Sequence, residues 1–414
     1  MDLIENKQYL SKEKILFFFL SIFFSINIYS QEKNIEIKSA ESFDRNEIEY
    51  PDGNILKGNS NKKVHLTHDD MDIFSKKAIF FQKQNSFIAT GQVHVKQGDS
   101  INLFCDSLNY DGLKRKFSSY GSVKFINDEM ELTSKILFFD RNLNEIYFND
   151  NGKIVDSLST IESKNGKYLI DSKKYEFKEN VVVTNPEYKI RSNMMDYFLE
   201  TEKALFYKYS TIITENYNVF CNDGFYDTKN KIGIFKNDAK ISSEERVIYG
   251  DSIFFNENKQ FASASNNIKI IDKKENLIIE GEYAEVFEKI DSALITKNPV
   301  AINITKNDSL FIAADTLYSI GNKNKRKLIG YYNVRFFKGS MSGKSDKIVI
   351  DKYKGLTTLS RNELSKRQLQ ILSENEINKL NPIIWDGNSQ ISGDEIILKE
   401  DLDKNIIDSL KISN

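Results

Sequence analysis

Two Gly-Asp-Ser blocks, three histidines and two cysteines are the residues of this 414-residue chain whose types could do covalent or metal chemistry. Gly98-Asp99-Ser100 and Gly250-Asp251-Ser252 each set a hydroxyl beside a carboxylate. A serine nucleophile also needs a histidine base held by an acid, and His65, His68 and His94 all lie before residue 95. His65-x-x-His68 followed by Asp69-Asp70 has a spacing that could hold a metal. On a strand, however, positions i and i+3 point to opposite faces, so a loop would be required. There is no Cys-x-x-Cys pair, no His-Glu-x-x-His run and no phosphate-binding glycine loop. The expectation is a chain without catalytic residues, metal ligands or cofactor.

The Gly-Asp-Ser blocks belong to a larger pattern. A short phrase returns about every 29 residues: Cys105-Asp106-Ser107-Leu108-Asn109-Tyr110-Asp111, Thr133-Ser134-Lys135-Ile136-Leu137-Phe138, Cys221-Asn222-Asp223-Gly224-Phe225-Tyr226-Asp227 and Gly250-Asp251-Ser252-Ile253-Phe254-Phe255. Weaker copies begin at Arg191, Gly281, Ala314 and Gly393. A fixed period in this range marks a repeat architecture, which works through an extended surface or groove. Cys105 and Cys221 occupy equivalent places in units four periods apart. At one rung per repeat they would stand roughly 19 Å apart, whereas a disulfide needs Cα atoms within about 7 Å. Two free, separately buried thiols are expected.

Each period reads as two strands of about ten residues and two turns. Lys116–Ile126 is followed by a turn at Asn127-Asp128-Glu129. Met130–Phe139 then alternates, placing Met130, Leu132, Ser134, Ile136 and Phe138 together. Alternation of this kind buries one face and wets the other. Small or polar residues recur in mid-strand (Ser118, Ser119, Gly121; Thr133-Ser134; Gly250-Asp251), and glycine inside a strand marks a bend or bulge. Bends at the same place in successive strands would fold the sheet over into a V-shaped or jelly-roll tube. About ten periods at two rungs each predict a length on the order of 90 Å. The fold class expected is an all-β, elongated antiparallel jelly-roll with one short inserted helix. The inward pairs are read as Val93/Val95, Val123/Phe125, Val181/Val183, Ile268/Ile270, Val300/Ile302 and Val334/Phe336, with the residue between each pair facing solvent. They either line a lipid groove or fill a closed core.

Formal net charge is −2, from 58 basic and 60 acidic residues, so no nucleic-acid partner is implied. Residues 1–30 read as a secretory signal peptide or an uncleaved anchor: Lys7, Lys12 and Lys14 precede the apolar block Ile15–Ile28, and Ser30-Gln31 follows. The block is short beside the roughly 20 residues of a membrane span. Residues 31–62 are polar and aperiodic, a mobile lead-in. Residues 63–210 and 211–359 form two jelly-roll parts. Residues 360–381 are read as an amphipathic helix with Leu364, Leu369, Leu372, Ile377 and Leu380 on one face, stopped by Asn381-Pro382, either crossing the tube or docking a partner. Terminal rungs fill 382–414.

Three stretches in sequence carry a resemblance: Gly91-Gln92-Val93-His94-Val95, Cys105-Asp106-Ser107-Leu108-Asn109-Tyr110-Asp111 and Gly121-Ser122-Val123-Lys124-Phe125. Together they resemble the OstA/LptA-like family of periplasmic lipopolysaccharide-transport proteins. The segment from Pro382 to Asp394 is similar to a form in Bacteroidetes members, and the resemblance extends over roughly residues 60 to 414. It implies a twisted β-jelly-roll whose apolar interior holds lipid acyl chains. It also implies a periplasmic location associated with inner or outer membrane. The partners implied are lipopolysaccharide (lipid A) and other transport components, joined by edge-strand pairing that could also give an end-to-end homo-oligomer. This chain is longer than a simple bridge protein and lacks the large barrel of the outer-membrane member, which would need many further strands. Two other classes remain: a cell-envelope structural or adhesion solenoid without lipid cargo, and a polysaccharide-degrading β-helix. The second is disfavoured, because the acids lie mostly at turns rather than clustered on one sheet.

Overall fold

The computed structural model describes residues 34–127, 130–304, 309–321, 325–363, 370–401 and 406–413. The signal-peptide reading of residues 1–30 lies outside them, as do Leu364 and Leu369 of the expected helix. The described residues form nearly all antiparallel β-structure in one continuous sheet.

The sheet is folded along a line through the middle of its strands. Strand Ser86–Gln97 shows the rule. Its first half pairs with the end of Ile101–Asp111 and its second half with the start, and the register slips between Thr90 and Val93. The same slip recurs in Lys116–Asn127, Lys174–Thr184, Ile232–Ser242, Phe261–Asp272 and Lys327–Lys338. At each slip two residues stand opposite one on the partner strand, and both carry positive φ: Gly91 and Gln92, Gly121 and Ser122, Glu179 and Asn180, Asn237 and Asp238, Asn266 and Asn267, Tyr332 and Asn333. Such bulges bend a strand sharply. Stacked in register, they turn the sheet into a V with two arms, here A and B.

Arm A holds the second half of Ser86–Gln97 and the first half of Ile101–Asp111, and so on along the chain; arm B holds the other halves. Elsewhere the bend becomes a gap between two short strands, as between Glu145–Phe148 and Gly152–Val155, and each keeps its place in its own arm. Alternation then aims every second side chain into the V. One apolar cluster runs inside from Ile35 to Leu398.

Three expectations change. Residues 31–62 are not only a lead-in: strands Glu36–Ser39, Ser42–Arg45 and Asn54–Lys57 pair into the first rungs of both arms. Four-residue strands are too short for alternation to stand out in sequence. The boundary at 210/211 falls at strand Ser210–Thr214, inside an uninterrupted ladder. The stretch 360–381 is not one helix. A helix spans Glu374–Asn378, started by a capping box in which the Ser373 hydroxyl accepts from the Glu376 amide. None of its residues is buried, and Leu372, Ile377 and Leu380 are only half-covered. Beyond it, strands Ile383–Asp386, Ser389–Ser392, Glu395–Asp401 and Ile406–Ser413 resume the ladder.

Candidate functional site

The interior of the V is the candidate site. Ten of the twelve inward residues read from the sequence lie in it, each between 1% and 5% exposed: Val93, Val95, Val123, Phe125, Val181, Val183, Ile268, Ile270, Val334 and Phe336. The other two do not. Ala301 is fully buried, while Val300 and Ile302 on either side of it are only partly covered. After the bend at Lys297-Asn298, the buried Pro299 takes the first inward position. A one-residue offset moves every side chain of a strand to the other face.

All these pairs belong to arm A. The facing wall of arm B is aromatic, and the sequence reading passed over it. Phe87, Tyr110, Phe117 and Phe139 form a chain of rings on successive rungs, with centroids 5.4, 5.9 and 5.0 Å apart. Beyond the Ile146 rung a second run of rings follows, Tyr168, Tyr175 and Phe177, at 4.8 and 5.5 Å. The signal lay in the repeat phrase itself, whose Leu-x-Tyr places Leu108 and Tyr110 inward.

Along the bend, only small side chains fit between the arms. Cys105, Ser134, Ser163, Ser192, Cys221, Gly250, Gly281, Ala314 and Ser345 fill equivalent places there. Several of the serines donate to the carbonyl two residues on, at 3.0 Å from Ser134, 3.1 Å from Ser163 and Ser192, and 2.9 Å from Ser345. Those bonds satisfy acceptors that the bend removes from the ladder. The residue after the small one stitches to the next rung: Asn267 Nδ2 donates to Asp251 Oδ2 at 2.8 Å, and Asn333 Nδ2 to Asp315 Oδ2 at 2.8 Å. The Gly250-Asp251-Ser252 block is thus part of the bend, and Gly98-Asp99-Ser100 lies at a hairpin turn of arm A.

The histidines are separated as well. His65 and His68 share strand Val64–His68, with His68 buried and His65 on the outer face. His65 Nε2 lies 2.7 Å from Asp72 Oδ1, and His68 Nδ1 lies 2.6 Å from the Tyr110 hydroxyl. Among the described residues no group of three His, Cys, Asp or Glu is placed to hold a metal ion. Both cysteines are free and buried, and burial pushes each thiol up to about 12.

The mouth of the V, where the hairpin turns of the arms face each other, is closed by polar contacts that link residues distant in sequence. Near one end, the Arg141 guanidinium meets Asp70 at 2.8 Å and Asp69 at 3.3 Å across the mouth, and Arg115 meets Asp69 at 2.9 Å. Arg141 also donates to the Tyr110 hydroxyl at 3.2 Å, and burial pushes that phenol's pKa up. Farther along, Lys231 meets Glu187 at 3.0 Å, and the Tyr217 hydroxyl donates to Glu288 at 2.6 Å. Arg246 and Asp272 of arm A then meet Arg326 and Asp291 of arm B in one cluster. Burial pushes the Asp291 carboxyl up, but the Arg326 and Arg246 guanidiniums outweigh it and hold it below the usual carboxylate range.

The architecture defines a class: an elongated antiparallel jelly-roll with a small-residue bend, an apolar interior and a polar mouth. Residues 32–193 match the family model described as OstA-like protein. Among solved structures, the crystal structure of LptH from Pseudomonas aeruginosa aligns at 10% identity with a TM-score of 0.19, covering 36% of this chain and 85% of that one. It is described as the LptA-homologous periplasmic component of the conserved lipopolysaccharide transport device. No curated protein matches the chain.

Proposed function

We propose that this is a non-enzymatic periplasmic protein that shields lipopolysaccharide (lipid A) acyl chains in transit to the outer membrane. The observation that supports this most is the continuous apolar interior between two arms joined along one side only. Opposite the bend, the arms meet through side chains, so the mouth can part without breaking either arm's ladder. Each CH₂ kept from water is worth about 0.8 kcal/mol, so a multi-acyl lipid gains from a dry lining that continues rung after rung. Equivalent rungs let chains advance without a deep trap. Docking to other transport components, or to a second copy, would use the open strand edges.

A second reading, a structural solenoid of the cell envelope without cargo, draws on a different observation. The inward side chains already pack against one another in a single buried cluster. On the lipid reading, acyl chains replace contacts between the arms; on the structural reading, the arms never part.

Photo-crosslinking in cells separates the two. A photoreactive residue at Val123, Ile270 or Val334 is expected to capture labelled lipopolysaccharide, and one at the outward Lys124 or Lys269 is not. Crosslinks confined to the outward positions would sink the lipid reading.

A further inference from the structure

Among the contacts that hold the mouth are two arginine–carboxylate clusters of different design, and the difference bears on where it can open. In the cluster of Arg246, Asp272, Arg326 and Asp291 every arginine contacts both carboxylates. Arg246 and Asp272 both sit at the mouth end of arm A, on strands Arg246–Asn256 and Phe261–Asp272. Asp291 follows the strand Leu277–Phe287, and Arg326 precedes Lys327–Lys338, both on arm B. Two contacts therefore lie within an arm, Arg246 with Asp272 at 3.3 Å and Arg326 with Asp291. Two cross the mouth, Arg246 with Asp291 and Arg326 with Asp272. Side-chain exposure is 5% and 8% on arm A, and 7% and 18% on arm B.

If the arms part here, each keeps one arginine and one carboxylate already in contact. Within this cluster neither side is left with an uncompensated charge, the outcome that makes breaking a buried pair so costly; the neighbouring contact of Lys352 on arm B with the Glu275 carbonyl on arm A, at 2.6 Å, parts with it. The other cluster has no such provision. Asp69 and Asp70 belong to arm A, and their partners Arg115 and Arg141 to arm B. Parting there strands two carboxylates on one arm and two guanidiniums on the other, with the Arg141 side chain only 2% exposed.

We propose that the Arg246–Asp272–Arg326–Asp291 cluster is a releasable clasp at which the interior opens sideways, while the Asp69–Asp70–Arg115–Arg141 cluster is a fixed closure. Opening is then directional along the tube. Arg326 also borders a small pocket of about 30 Å³ lined by the apolar Leu277, Ile312, Leu328 and Ile350 and by the polar Glu275, Asn303, Ser319 and Lys352, so release exposes apolar side chains directly behind the clasp. Entry of an acyl chain at this point rests on the lipid reading above; the release itself does not.

The test is the rate at which a charged methanethiosulfonate reagent reaches a thiol placed between the arms. It uses the full chain with Cys105→Ser and Cys221→Ser, and contains no lipid, so a failed clasp and a failed lipid reading are told apart. Ala301→Cys sits inward one rung from Leu277–Phe287, and Ala89→Cys inward beside Leu108 of the Tyr110 strand; both alanines are fully buried. The thiol at Ala301→Cys is expected to react at least tenfold faster than that at Ala89→Cys. Adding Asp291→Asn should speed the first at least tenfold again and leave the second within twofold. Equal rates at the two positions, or an equal acceleration at both, would overturn the proposal. Should Asp291→Asn fail to fold, the comparison of the two single-thiol chains still decides it.

Discussion

At the scale of single residues, the bend is the place where size decides identity. Cys105 and Cys221 stand where other rungs carry serine, glycine or alanine, so their role is to be small. Raised thiol pKa values follow from burial first, and a thiol, unlike a thiolate, is a poor nucleophile. The native chain is expected to react with a thiol reagent at neither cysteine, and at both after denaturation; one native equivalent would contradict the placement. Cys105→Ser should be nearly neutral, because serine already fills that place on other rungs. Cys105→Leu should cost about 1–3 kcal/mol by overpacking, read as a lower denaturant midpoint at unchanged slope. The residue pattern was legible because the phrase repeats small residues in phase. Nothing in it announced that the Asp beside the small residue is a stitch between rungs, since the partner of Asp251, Asn267, belongs to the next strand.

At the scale of elements, two successive residues at positive φ bend every second long strand so that it serves both arms. Gly121 shows why the position is restrictive: its φ is +72°, and a Cβ there would lie 2.3 Å from Asp106 Oδ2. Left-handed backbone costs a residue with a side chain roughly 1–2 kcal/mol, and the clash adds to it. Gly121→Val should therefore lower the unfolding midpoint markedly, while Gly98→Ala, at φ +59° with nothing within 4 Å, should pay the backbone cost alone. Equal losses would argue against the bend as the constraint. The glycines and asparagines before Val93, Val123 and Ile268 were visible in sequence. Gln92, Glu179 and Tyr332 take the same conformation without any residue-type signal, and that is why the offset at Pro299 went unseen and Val300 and Ile302 were placed inward. The expected helix at 360–381 changed for a different reason: Ser360 still belongs to a strand, and a new helix begins only after the Ser373 cap.

At the scale of the whole molecule, the last strand among the described residues is Ile406–Ser413, which pairs with Glu395–Asp401 on one side. The Ser413 carbonyl accepts from the Asp394 amide, so Ser413 points its backbone inward and, by alternation, Ile412 points its own outward. An outward row of unpaired groups templates pairing with another chain. Ile412→Pro removes one outward N–H and spares the bond within the sheet. It should weaken end-to-end association, measured by sedimentation, without shifting thermal unfolding; unchanged association would count against edge pairing. The sequence alone determined the antiparallel strands, the period, the bend, most of the arm-A lining and the unpaired thiols. These follow from local rules of alternation, side-chain size and backbone conformation that act within one repeat. Tertiary structure alone decided how the V closes. Arg246 and Asp291 are 45 residues apart, and Arg141 and Asp70 are 71 apart. Their pairing depends on which turns face each other across the mouth, and no local pattern encodes that.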